Sequence, residues 1–208
     1  MKRLSVCRFC GIVDGNYQYD GIDQPFSSND EFIAIASIGA LIEGWSLIVP
    51  KEHQLSMRSV YKKGEFVNFI EKVIPMLNMC YGPLIAFEHG SNKEGSITAC
   101  GTDHAHLHLV PFANSLLPEL RDSNLHWVQC HASEIHDRVR NMEYLFYSEL
   151  GSENVWNDPL GYLHILERPI SQYFRHLIAA KLNRVDVSDY RRFPHLETAR
   201  QTHRALAR

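Results

Sequence analysis

Apolar and polar positions along this chain recur with two periods, and the switches between them mark its elements. "EFIAIAS" and "WSLIVP" are short apolar runs separated by "IGALIEG", a pattern that predicts strand, turn and strand over residues 31–50. From Ser59 to Cys80 the apolar positions Val60, Phe66, Val67, Phe69, Ile70, Val73, Ile74 and Leu77 recur at helical spacing, and Pro75 is expected to kink that helix or end it early. "PLIAFEHG" returns to a strand pattern before the polar loop "HGSNKEGS". "DHAHLHLVPF" follows as a strand that Pro111 closes.

Beyond Phe112 the pattern changes character. "LLPELRDSNLHW" reads as irregular, "ASEIHDRVRN" as a short helix, and "EYLFYSEL" with "GYLHILE" as a strand pair. Ser171 is the expected N-cap of a helix over "SQYFRHLIAAKLN", with Phe174, Leu177, Ile178 and Leu182 on one face, and "HLETARQTHRALAR" is a last helix. A boundary near residue 115 therefore divides a core, residues 1–115, from an appended segment, residues 116–208. No linker-like composition separates the two, so the segment is expected to pack on the core.

The histidines add chemistry to this outline. In a strand, His104, His106 and His108 share one face while Ala105, Leu107 and Leu109 point to the core. A solvent-facing polar stripe is the bland alternative, but Asp103, a Gly/Ser/Thr-rich approach and Pro111 crowd these residues together and favour a site. Neutral imidazole serves as nucleophile, base or metal ligand because its pKa of about 6.5 lies close to neutrality. Three ligands to one metal are disfavoured, since alternate side chains of one strand project nearly parallel.

"HAHLHLV", His104 to Val110, resembles the histidine-triad (HIT) pattern of His-φ-His-φ-His-φ-φ with φ apolar. "GWSLIVPKEH", Gly44 to His53, resembles that superfamily's Gly-x-φ-Leu-φ-φ-Pro-Lys-x-His segment one helix upstream, and the likeness runs from about Cys7 to Phe112. It implies an α+β fold, an antiparallel sheet of about five strands carrying helices; the C-terminal segment lies outside the likeness and reads from its own pattern as an α/β extension packed on that core. It also implies a homodimer, a small nucleotide substrate, and His106 as the nucleophile at an α-phosphorus. The product would be a nucleotidyl-histidine phosphoramidate that water or another acceptor resolves. His108 would then donate to a phosphoryl or leaving oxygen, and His104 would stand behind His106.

"CRFC", Cys7 and Cys10, is a Cys-x₂-Cys, which alone also describes two buried thiols. One subset of the superfamily pairs it with two histidines, which match His53 and His104 here; that likeness implies a structural Zn²⁺ held by Cys7, Cys10, His53 and His104. His89 of "FEHG" is the competing fourth ligand. Cys80 and Cys130 read as core residues, and Cys100 as a residue of the loop lining the site. For the substrate, the family's ribose-holding Asp or Asn corresponds to Ser37, a weaker partner. Thr98, Gly101 and Thr102 are candidate phosphate contacts in the loop before the triad. Gln172 and Arg175 are candidates at the start of the "SQYFRHLIAAKLN" helix, where an anion is favoured and arginine grips it bidentately; for Arg175 a packing role is the alternative.

Composition narrows the rest. The 208 residues are 45% apolar and 22% charged, enough for a packed core, and the net charge of −3 leaves no broad basic field for duplex nucleic acid. The most apolar stretch, Phe32 to Pro50, is interrupted by Ser37, Gly39, Glu43, Gly44 and Ser46 and is too short to span a bilayer of about 30 Å. "MKRLSVCRFCG" lacks the apolar run of a signal peptide, and five cysteines favour thiols or metal ligation over disulfides, so the expected location is the cytoplasm. A nucleotidyl hydrolase, a nucleotidyltransferase with a phosphorylated acceptor, and a non-catalytic nucleotide-binding protein all stay open.

Overall fold

A computed structural model describes residues 7–150, 156 and 158–207, so Met1–Val6 of the N-terminal reading lie outside the described residues. Eight strands form one sheet, each antiparallel to its neighbours: β1 (Ser27–Ser28), β2 (Phe32–Ala36), β3 (Ser46–Pro50), β4 (Leu84–Gly90), β5 (Leu107–Pro111), β6 (Val128–His131), β7 (Tyr144–Leu150) and β8 (Leu160–Ile165). Their spatial order is β1-β2-β3-β5-β4-β7-β8-β6. The helices are α1 (Arg8–Val13), α2 (Gly64–Tyr81), α3 (Leu117–Asp122), α4 (Ile135–Val139), α5 (Tyr173–Lys181) and α6 (Leu196–Leu206). The fold is α+β, as expected, but the sheet has eight strands where about five were implied. The first five, β1–β5, come from residues before 115; β7 then pairs with β4 over seven positions, Leu84↔Leu150 to Gly90↔Tyr144, and the sheet continues through it. An open β4 edge would leave a row of unpaired backbone groups, and β7 satisfies them.

Period-2 alternation sends successive side chains to opposite faces. On one face Ala34, Ile48, Ala86, Leu107, Leu109 and Phe146 pack under α2 with its Phe66, Phe69, Ile70, Val73, Ile74 and Leu77. Glu88 is buried on that face and accepts hydrogen bonds from the Met57 N–H and the Tyr61 and Tyr144 hydroxyls, each at 2.6 Å. Burial raises its carboxyl pKa against the pull of those donors. On the other face α1 covers β2 and β3 through Phe9, Ile12, Ile35 and Leu47, while α5 covers β4 and β7 through Phe174, Ile178, Phe87 and Tyr147. The two covers leave β5 between them.

Several local expectations change. α2 runs through Pro75 to Tyr81, because Pro75 sits on the exposed side where the carbonyl it orphans is open to water. Cys80 is exposed, since Tyr81 rather than Cys80 continues the buried stripe; Cys130 is buried as expected. "LLPELRDSNLHW" contains α3, a one-and-a-half-turn helix too short for a periodic signal. The N-cap of α5 is Gln172, not Ser171, in a left-handed conformation (φ 54°, ψ 25°). No helix among the described residues is long and apolar enough to cross a membrane.

Candidate active site and metal centre

The three triad histidines are each fixed by one hydrogen bond, and these bonds decide the tautomers. His104 Nε2 lies 2.8 Å from the Pro50 carbonyl, and His106 Nδ1 lies 2.8 Å from the His104 carbonyl. A carbonyl only accepts, so both nitrogens carry the proton, which leaves a lone pair on His104 Nδ1 and on His106 Nε2. His108 is the reverse: the Trp45 indole N–H donates to His108 Nδ1 at 2.9 Å, so neutral His108 carries its proton on Nε2. The local backbone makes this possible. Regular pairing starts only at Leu107, with the Leu47↔His108 register bringing β3 alongside, and the preceding residues His104 to His106 turn inward from the loop.

The His104 lone pair points to a cluster. Its Nδ1 is 3.3 Å from Cys7 Sγ and 3.6 Å from Cys10 Sγ, and His53 Nδ1 is 3.2 Å from Cys10 Sγ. The four donor atoms lie within 4.8 Å of one another. Bond lengths of about 2.3 Å to sulfur and about 2.0 Å to nitrogen at tetrahedral angles put neighbouring donors about 3.6 Å apart, so this set fits a four-coordinate divalent ion. The Pro50 carbonyl behind His104 supplies the outer hydrogen bond that metal-binding histidines use. Burial, then the neighbouring Cys7, pushes the Cys10 thiol up to about 11, and a bound cation would favour its thiolate. His89 does not belong to this group; its ring stands 6.4 Å from that of His108 on the cleft side.

A cleft opens between α1 and α5 over β5. His106 and His108 form its floor with Phe87 and His89; Arg8 and Phe9 wall one side, Gln172, Arg175 and Tyr190 the other. Two arginines and three histidines line it with no carboxylate among the lining residues. Phe9 packs edge-on against His106 at 5.4 Å, so the Cys-x₂-Cys turn itself shapes the floor. Arg8 pairs with the fully buried Asp23, which also accepts the Gln18 and Tyr19 N–H groups at 2.8 and 2.9 Å. Arg175 is 6% exposed; it donates to the Gly39 carbonyl and lies 4.5 Å over the Trp45 ring. Gly39 holds φ +77°, and a Cβ there would come 2.3 Å from Tyr190 Cβ, which is why the segment carrying Tyr190 packs against a glycine.

Electrostatics keep the floor neutral. Burial lowers the His106 pKa, with the Arg8 and Arg175 charges adding and the His104 carbonyl opposing. Burial, then His106, His89 and Arg175, holds His108 well below its ordinary value. Burial takes His89 down to about 3.

The other expected contacts divide. Ser37 and Thr102 line the cleft, with the Ser37 hydroxyl donating to the Ile38 carbonyl at 3.2 Å and its lone pairs left to accept. Thr98 does not: its hydroxyl donates to Glu143 at 2.7 Å and its N–H to Ser96, so neither reaches a phosphate there. Gly101 is exposed and faces Tyr190 and Arg191 outside the lining. Gln172 lines the wall, but its amide bridges Asp189 and the Tyr190 N–H, each at 3.3 Å, and so holds the 189–190 segment in place. Cys100 lines the cleft as expected of its loop, its sulfur accepting the Gln172 N–H at 3.1 Å. Arg8, Phe9, Trp45 and Tyr190 were not anticipated. Trp45 lies within the quoted "GWSLIVPKEH", yet only the β3–β5 register reveals that its indole reaches His108.

No protein-family model matches the chain. It is 32% identical over 109 residues to an uncharacterised HIT-like protein of Mycoplasma genitalium, a match covering 51% of this chain and 73% of that protein. The chain therefore belongs to the histidine triad (HIT) superfamily. Similar solved structures include a HIT family hydrolase from Clostridium thermocellum, 20% identical, covering 53% of this chain and 94% of that one with a TM-score of 0.39. A HIT family protein from Bacillus anthracis is 22% identical, covering 53% and 76%, also with a TM-score of 0.39.

Two outcomes are expected. Cys7→Ser with Cys10→Ser lowers bound divalent metal from about one equivalent to none by elemental analysis and lowers the melting temperature; unchanged metal content contradicts the cluster. His89 and His108 stay neutral in the folded chain but protonate when it unfolds. Their contribution is therefore full above pH ~6.5 and is lost as pH falls, at about 1.4 kcal/mol per pH unit for each. His89→Asn reduces the acid slope of unfolding free energy by about one proton, and an unchanged slope contradicts a buried neutral His89.

Proposed function

We propose that this chain is a nucleotidyl hydrolase that cleaves a small nucleotide conjugate at its α-phosphorus and releases a nucleoside monophosphate. One observation carries the reading: the His106 Nε2 lone pair and the His108 Nε2–H share the floor of a cleft lined by two arginines and no carboxylate. A lone pair beside a fixed donor, in a site whose charge suits phosphate, is what nucleophilic attack on phosphorus needs.

In the proposed sequence, substrate binds with its phosphate over His106 and His108 and its ribose toward Ser37. His106 Nε2 attacks the α-phosphorus, a P–N bond forms, and the bond to the leaving group breaks. The His104 carbonyl stabilises the charge growing on His106 through Nδ1–H. His108 Nε2–H donates to a phosphoryl oxygen, held in aim by Trp45. Water then attacks phosphorus and loses one proton to solvent, the P–N bond breaks with its electron pair returning to Nε2, and His106 regains its neutral Nδ1–H tautomer. Thr102 is the loop contact retained from the sequence reading. Cys7, Cys10, His53 and His104 would hold a structural Zn²⁺, which fastens the N-terminal turn to His104 and thereby sets Phe9 against His106. No chemical step passes through it.

His106→Ala is expected to lower release of nucleoside monophosphate at least ~10³-fold across adenosine phosphoramidate, diadenosine tetraphosphate and a nucleotide sugar, with circular dichroism unchanged. Turnover within tenfold of wild type would sink the mechanism. Release that requires an added sugar phosphate assigns the same intermediate to a transferase.

A further inference from the structure

One corner of the cleft is left over by the mechanism above. His89 projects from β4 on the same sheet face as Phe87, beside His108 and against Phe174 of α5 at 5.3 Å. Its Nε2 is buried and has no hydrogen-bond partner. Buried polar nitrogens are almost always satisfied, so an orphan in a ligand cleft marks a missing partner. The neighbouring cation is also incompletely used. Arg175 follows Phe174 on α5, and its one hydrogen bond among the described residues goes to the Gly39 carbonyl. No described carboxylate comes within ion-pair distance of it. Burial lowers it to about 10, which leaves it charged at neutral pH. A buried guanidinium without a counter-ion is costly unless an anion arrives, and its fork matches phosphate oxygens.

We propose that His89 and Arg175 form a second anion subsite beside the His106–His108 pair, which selects conjugates whose leaving group carries its own phosphate. The substrate class is then a phosphoric anhydride, such as a dinucleoside polyphosphate or a nucleotide sugar, over a nucleoside phosphoramidate. This rests on the nucleotidyl-transfer reading and sharpens it. In the anhydride reaction His106 Nε2 bonds to the α-phosphorus and the bridging oxygen departs with its electron pair as a phosphate oxygen. The leaving group thus gains negative charge that Arg175 neutralises, while the His89 N–H donates to a second oxygen. An amine leaving group instead must take up a proton, and a fixed cation beside it opposes that step.

The test compares kcat/KM for diadenosine tetraphosphate and adenosine phosphoramidate in wild type, Arg175→Gln, Arg175→Lys and His89→Ala. Arg175 also stacks on Trp45, so a positioning role through His108 must be separable. Under the proposal Arg175→Gln and His89→Ala each lower the anhydride-to-phosphoramidate ratio by about tenfold or more, and Arg175→Lys restores part of it. Equal losses on both substrates overturn it and assign Arg175 to the support of Trp45 and His108. Calorimetry with inorganic pyrophosphate and orthophosphate decides independently of turnover. Wild type should bind pyrophosphate more tightly, and Arg175→Gln should erase the difference; a preference that survives the substitution overturns the subsite. If wild type turns over neither substrate, the hydrolase reading fails, while the calorimetric arm still decides the subsite.

Discussion

Everything in the site depends on the hydrogen bond from His106 Nδ1 to the carbonyl of His104, two residues back. It removes the choice of tautomer and leaves the lone pair of the other ring nitrogen, Nε2, to the cleft. The same short span settles the two flanking rings in different ways. Pro50 turns the His104 lone pair toward Cys7 and Cys10, and Trp45 turns the His108 proton toward the cleft. Three identical side chains thereby present three different groups from one run of backbone: a lone pair to the Cys7–Cys10 cluster, a lone pair to the cleft and an N–H to the cleft.

That arrangement needs rigid neighbours, and the fold supplies them from far apart in the chain. β3 ends on Pro50 and starts directly after Trp45; α1 and its N-cap Cys7 bring the cysteines together with Phe9, so one turn both carries the cysteines and packs on His106. The C-terminal half closes the other side. Because β7 extends the sheet from β4, α5 lands over Phe87, and Arg175 and Tyr190 reach back to Gly39 across the cleft. The extension is thus part of the cleft wall, and the site would be open on that side without it.

Much of this was legible in the chain. Short apolar runs bounded by turn residues announced β2, β3 and β4, the 3.6-residue recurrence announced α2, two motifs in order announced the superfamily, and the likeness to its Cys-x₂-Cys subset grouped Cys7, Cys10, His53 and His104. What the sequence hid was long-range pairing. "EYLFYSEL" read correctly as a strand, but nothing in it says that it joins β4 and brings the sheet to eight strands. His89 stood only as the competing fourth ligand to His53 and His104, and only the β4–β5 neighbourhood turns it toward His108. Thr98 was suggested by proximity to the triad, yet its hydroxyl is taken by Glu143 from the other half. The short elements β1, β6 and α3 carry too few residues for any period to register.

The most direct test of the central claim is a single-turnover reaction with diadenosine tetraphosphate, quenched in base, where a phosphorus–imidazole bond survives, and followed by peptide mass spectrometry. The account predicts a nucleotidyl adduct on His106 that forms and decays at the rate of product release and is absent from His106→Ala. Turnover without an adduct, or an adduct on another residue, would contradict it.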